Sequence, residues 1–225
     1  MREAPFAKLG FLSEAQKQKL FEYAELLKAE NAKVNMVSRK DTDDLAYRHI
    51  AFCAAIGAFF TPDKGAEIVD VGTGGGLPGV VMAILWPQAK IEMLDGVGKK
   101  IACVNRMVEA LGLKNAVAIQ GRVEERKKLY DYAVGRSVCS LYEFVNFTKN
   151  AIARGKHGTL ENGVIYFKGG EWDEELKHKK LYSDKTLKLD EFFCDEQYAG
   201  KSLVHIPQSA IYGAFFKKNK IKGII

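Results

Sequence analysis

The densest concentration of residues able to do chemistry lies at residues 70–79, which read Asp70-Val71-Gly72-Thr73-Gly74-Gly75-Gly76-Leu77-Pro78-Gly79. Glycines at this density allow a tight turn and let a ligand approach the backbone closely. No Gly-Lys-Ser/Thr follows, which excludes a Walker A phosphate loop. Gly74, Gly76 and Gly79 satisfy G-x-G-x-x-G, and Asp95 lies 21 residues after Gly74. A nicotinamide or flavin dinucleotide fits that expression. A second parsing takes Asp70 as the end of a strand, followed by Gly72, Gly74 and Gly76. A carboxylate there suits the sulfonium and amino group of S-adenosylmethionine better than a diphosphate. Asp95 would then accept from the ribose hydroxyls. Asp95-Gly96 also reads as a plain turn, and the loop itself as a structural turn without ligand.

The remaining reactive residues are scattered. Histidines stand at 49, 157, 178 and 205 and cysteines at 53, 103, 139 and 194. No metal-ligand spacing, C-x-x-C pair or nucleophile–His–Asp arrangement emerges. Lysine and arginine total 34 against 28 acids, a net charge of +6. The last 25 residues hold five lysines and no acid. A basic tail of this kind attracts RNA, DNA or an anionic surface.

These residues need elements to position them. Apolar positions Leu20, Phe21, Ala24 and Leu27 follow Ser13 and Gln16, a capping-box spacing. A second apolar pattern runs over 45–60 and stops at Thr61-Pro62-Asp63-Lys64-Gly65. Residues 1–65 are expected to form a helical cap, and 66–225 a core with a basic C-terminal tail. In the core, strands are expected at 67–71, 90–94, 116–120, 130–134 and 164–167, with helices at 78–86, 99–111 and 141–153. That alternation predicts a mostly parallel sheet with helices on both faces. Further strands are expected at 187–193 and 203–206, with a candidate at 212–216. The chain has 225 residues, 47% of them hydrophobic and 28% charged, ordinary for a globular fold. Its longest apolar run, 50–60, is far short of the ~20 residues of a membrane span. Scattered cysteines fit the cytoplasm.

Three stretches together resemble the bacterial guanine-N7 methyltransferases of small-subunit ribosomal RNA, the RsmG or GidB family. They are Asn35-Met36-Val37-Ser38-Arg39 with Arg48-His49; the glycine loop with Leu94-Asp95 and Gly98-Lys99-Lys100; and Gly121-Arg122-Val123-Glu124-Glu125 with Arg136 and Lys168-Gly169. The resemblance spans about 10–206. The sequence departs from the family's usual pattern at Phe52, where an aspartate is common, at Ser137 after Arg136, and at Lys100 in place of arginine.

The resemblance implies a class I S-adenosylmethionine-dependent methyltransferase fold, Rossmann-like, with an N-terminal helical extension. It implies methylation of N7 of a guanine in the 530 loop of 16S rRNA, with S-adenosylhomocysteine as product. The expected donor site is Asp70, Gly72, Thr73, Gly74, Gly76, Leu77, Asp95, Val123, Glu124 and Arg136. Arg122 and Arg136 are expected to position the substrate. Arg39, Arg48, Lys99, Lys100, Arg106, Lys168, Lys217 and Lys218 are the candidate RNA contacts. Guanine N7 carries a free lone pair, so no general base and no metal is expected. The partner is 16S rRNA, within a 30S subunit or an assembly intermediate, and the chain is expected to act as a monomer. A dinucleotide-dependent oxidoreductase and a non-catalytic ribosome-binding protein are the alternatives. The first would need a hydride-accepting site that no residue set supplies; the second would have no use for Asp70, the spaced glycines and Asp95.

Overall fold

The computed structural model describes residues 6–36, 43–177 and 179–217, with only the backbone of 43–47. Arg39 and Lys218 lie outside the described residues. Among those described, seven strands form one sheet in the order β3-β2-β1-β4-β5-β7-β6. They are β1 (Glu67–Val71), β2 (Lys90–Asp95), β3 (Ala116–Gln120), β4 (Tyr132–Arg136), β5 (Gly163–Gly169), β6 (Lys185–Lys188) and β7 (Lys201–Pro207). Strands β1 to β5 are parallel, and β7 is antiparallel to both β5 and β6. The strand order reverses between β1 and β4, which places the ligand-binding crevice of an open α/β sheet at the carboxyl ends there.

Side chains alternate across the sheet, as a period of two requires. Ile68, Ile91, Met93, Tyr132, Val134, Ile165 and Phe167 face one layer. That layer holds α1 (Glu14–Asn31), α2 (Asp43–Ala54), α4 (Gly79–Leu85) and α5 (Gly98–Ala110). The short α3 (Ile56–Phe59) joins it. Val69, Val71, Leu94, Ala133, Val164 and Tyr166 face the other, with α6 (Leu141–Thr148) and α9 (Gln208–Phe215). Leu20, Tyr23 and Leu27 of α1 belong to the same apolar cluster as the sheet residues of the first layer. Ser13 and Gln16 form the capping box at the start of α1.

The final third differs from the sequence reading. Residues 187–193 are not one strand: β6 ends at Lys188 and α8 (Leu189–Phe193) follows. Residues 212–216 lie in and just after helix α9 rather than in a strand, because Ala210 and Ile211 turn a helical face onto the second layer. A one-turn helix α7 (Asp173–Lys177) lies between β5 and β6. No helix among the described residues is long and apolar enough to cross a membrane.

Candidate active site

Strand β1 ends at Val71, and Gly72 opens the glycine loop at φ +75°, with Gly74 at +56° and Gly76 at +94°. L-residues other than glycine are strained in this left-handed region. The loop is held from three sides. Gly72 and Thr73 each donate their N–H to Leu94 O on β2, at 2.8 and 2.9 Å. Asp70 lies beneath, fully buried, and its Oδ2 accepts from Thr73 Oγ1 (2.5 Å) and from Gly79 N (2.8 Å). From above, Tyr23 of α1 donates its buried hydroxyl to Gly75 O at 2.8 Å. Gly79 has no room for a side chain: a Cβ would come within 2.3 Å of Met93 Cγ.

Asp95 sits at the carboxyl end of β2, half-buried. Its Oδ2 accepts from Gly74 N at 3.0 Å and its Oδ1 from Val97 N at 2.9 Å. The turn and the loop anchor thus share one carboxylate. A carboxylate has about four acceptor positions, so capacity remains for two ribose hydroxyls.

Several expected donor contacts are internal. The Thr73 hydroxyl is committed to Asp70, and Leu77 points into the core. Both can face a ligand only through their backbone. Asp70 serves the loop first, but its Oδ1 is buried without a partner among the described residues. Burial pushes its carboxyl up to about 6, against the bonds from Thr73 and Gly79 that lower it. Val123 is buried in a 3-10 turn after β3, beside exposed Glu124, leaving its backbone at the sheet's edge.

Beyond β4 a cavity of about 200 Å3 opens, lined by α2, the ends of β4 and β5, and the segment before β7. Arg136 ends β4 and its Nη1 lies 3.2 Å from His49 Nδ1, tying α2 to the sheet. An arginine has no acceptor, so the guanidinium donates and Nδ1 accepts. Phe52 packs on Phe167 and stacks on Tyr198, the latter at 5.8 Å and 11°. Lys201 lies over both Phe52 and Tyr198. The cavity adjoins the glycine loop, because a Cβ at Gly72 would come within 2.9 Å of Val138 Cγ2, two residues beyond Arg136.

The basic candidates divide. Arg48 is exposed on the cavity rim. Arg122 is exposed, and its side chain has no hydrogen-bond or ion-pair partner among the described residues. Lys99 and Lys100 begin α5, and Lys217 is exposed just past α9. Two candidates have ion-pair partners within the chain. Arg106 pairs through Nη2 with Glu30 Oε2 of α1, which draws the guanidinium onto the first helix. Lys168 reaches Glu175 of α7 at 2.7 Å, although it also lines the cavity. Tyr23, Tyr198 and Lys201 escaped the sequence reading. Tyr23 carried a signal, since it shares the inward face of α1 with Leu20 and Leu27, where a buried phenol needs a partner.

Comparison with known proteins agrees with this fold. A structure of MtNAS in complex with S-adenosylmethionine aligns with a TM-score of 0.56 at 11% identity, over 85% of this chain and 75% of that one. A geranyl diphosphate methyltransferase in complex with GPP and sinefungin aligns at 0.52, also at 11% identity, over 74% and 80%. Among curated relatives, the ribosomal RNA small subunit methyltransferase G of Christiangramia forsetii is 38% identical over 196 residues, 87% of this chain and 92% of its own. That of Flavobacterium psychrophilum is 40% identical over 177 residues, 79% and 84% respectively. The profile of the GidB family, rRNA small subunit methyltransferase G, matches residues 16–193. The chain therefore belongs to the rRNA small subunit methyltransferase G family.

Proposed function

We propose that this methyltransferase transfers the methyl group of S-adenosylmethionine to N7 of a guanine in the 530-loop region of 16S rRNA. Family membership supplies the enzyme class and the RNA; the residue roles rest on the carboxyl edge of the sheet. The donor fits the loop: the left-handed glycines put no side chain between the backbone and a ligand, Asp95 keeps spare acceptor capacity, and the buried Asp70 Oδ1, without a partner among the described residues, awaits a donor such as an ammonium group or a water. The backbone of residues 72–76, the Asp95 carboxylate and the backbone of Val123 and Glu124 would hold it. Bound there, it supplies an electrophilic methyl on a positive sulfur.

The observation that carries N7 is the engagement of His49. It is the imidazole lining the cavity, and its Nδ1 lies against the Arg136 guanidinium. A ring held there is poorly placed to take a proton from a substrate. Such a cavity suits a nucleophile that needs no base. The N7 lone pair forms the new N–C bond while the methyl–sulfur bond breaks and its electron pair stays on sulfur. No proton leaves, and the positive charge passes to the base. The protein's task is alignment and exclusion of water. Arg136 cannot hold N7 while N7 attacks, so it bonds O6 or a phosphate, and Arg122 takes a phosphate at the rim.

Residues 1–65 act as the helical cap and 66–225 as the core. The chain works as a monomer in the cytoplasm, on rRNA within a 30S subunit or its precursor. A methyl-transfer assay on naked 16S rRNA, 30S subunits and 23S rRNA, with the product nucleoside identified by mass, tests the reading. 7-Methylguanosine in 16S rRNA or 30S subunits is expected. Transfer only to another atom, or only to protein or a small molecule, overturns it.

A further inference from the structure

The cavity beside β4 contains a group that the fold leaves unused. Tyr198 is 4% exposed, lines the cavity, and its hydroxyl is buried with no hydrogen-bond partner among the described residues. Leaving a buried hydroxyl unpaired is unfavourable to folding, and native proteins rarely do so without a reason. Burial pushes the phenol up to about 12, so it remains protonated. It can donate and accept. Phe52 and Phe167 complete an aromatic wall beside it, and Arg48, Arg136, Lys168 and Lys201 bring positive charge to the same space. At about 200 Å3 the cavity is smaller than the ~300–1,000 Å3 of drug-sized sites, on the scale of one heterocycle.

We propose that this cavity seats the flipped target guanine, the Phe52–Phe167–Tyr198 wall taking its ring and the Tyr198 hydroxyl bonding its O6/N1–H edge. The assignment rests on the methyl-transfer reading above and extends it to the acceptor base. Three features support it. The cavity and the glycine loop meet at residues 136–138, so a base on one side faces the donor on the other. Aromatic faces hold an unstacked base irrespective of its identity. The cations then discriminate at position 6, because guanine presents the acceptor O6 where adenine presents an amino group. The hydroxyl itself can rotate to suit either base, so it contributes affinity and alignment rather than the choice between them.

Tyr198→Phe tests this in the full chain, because the ring stack is retained and only the orphan hydroxyl is lost. A merely structural tyrosine predicts no loss of activity from that change. The proposal predicts an unchanged or higher melting temperature, unchanged calorimetric affinity for S-adenosylhomocysteine, and about a tenfold fall in kcat/KM on the RNA substrate. Phe52→Leu should give a similar fall, read chiefly in KM, again with donor affinity intact. Parent-like kcat/KM in both variants overturns the base site while leaving the methyltransferase reading standing. A weakened S-adenosylhomocysteine affinity in Tyr198→Phe also overturns it, by giving the cavity to the donor. If the parent chain itself makes no 7-methylguanosine, the underlying reading fails first, and that result is distinct from either.

Discussion

On one side of residues 136–138 lies the glycine loop; on the other lies the cavity beside β4, and they are built in opposite ways. In the loop, Asp70, Thr73, Gly79, Gly74 and Asp95 bond to one another, and Tyr23 clamps Gly75 from the first helix. In the cavity, one phenol has no partner among the described residues, a stacked aromatic pair lines the space, and Arg48 stands exposed at the opening. The first arrangement fixes a backbone shape for a ligand of constant chemistry. The second leaves polar capacity for a partner that arrives with its own hydrogen bonds. A fixed donor site and a receptive acceptor site are what a transferase needs if its catalysis is mainly orientation.

The most damaging way to break the comparison is to disturb the loop. Gly74→Val places a branched side chain at φ +56°, which costs ~1–2 kcal/mol in conformation alone. Its N–H would also be pulled from Asp95. Donor binding measured by calorimetry should be lost, while circular dichroism shows a folded chain with a lower melting point. Retained binding would mean the loop does not contact the donor.

Asp70 sharpens the comparison through pH. Its folded value of about 6 lies above the ordinary aspartate range. Between about pH 4 and 6 the folded chain keeps a proton that the unfolded chain has released. Its contribution to stability is thus full below that window and lost as pH rises through 6. Donor affinity should run the other way, because only the ionised carboxylate attracts an ammonium group. S-adenosylhomocysteine binding is expected to weaken as pH falls through 6, and Asp70→Asn should flatten that dependence. A parent profile that is level from pH 5 to 7.5 would remove Asp70 from ligand recognition.

How much of this was legible in sequence follows the same division. The loop could be read because its requirements are local: consecutive glycines, a strand before and a helix after. Asp95 was legible too, though its bond to Gly74 N was not, since nothing in the spacing says which of two adjacent turns a carboxylate will serve. The cavity was not legible. Phe52, Phe167 and Tyr198 are far apart in the chain and meet only because β7 returns antiparallel beside β5. Residues 212–216 misled for a related reason: a short apolar run has no period of its own, and the layer it packs on decides between strand and helix.

Arg136 at the cavity and Arg122 after β3 allow a finer test. Arg136 is bonded to His49 within the cavity, whereas Arg122 stands exposed and unpaired. Arg136→Gln should lower methyl transfer by ~10–100-fold, the scale of a lost charge-assisted bond, with donor affinity little changed. Arg122→Gln should do less. It should weaken RNA binding modestly and reduce the slope of log affinity against log salt by about one. Equal effects would show that both arginines meet the same part of the RNA.

The smallest effect on RNA is expected at Arg106, although its charge and sequence position resemble those of the others. Its guanidinium is occupied by Glu30, and Lys33 reaches the same carboxylate at 3.0 Å. These bonds hold the Glu30 carboxyl down at about 2. A depressed carboxyl contributes stability that is present above the ordinary glutamate range and lost as pH falls from about 4.5 toward 2. Arg106→Gln should therefore leave the salt slope of RNA binding and the rate of methyl transfer near those of the parent. It should lower the melting temperature at pH 7 by ~2–4 °C, and the deficit should shrink in acid, where the parent loses the same interaction. A variant that instead keeps its melting temperature and loses RNA affinity would move Arg106 from the joint between α1 and α5 to the RNA surface.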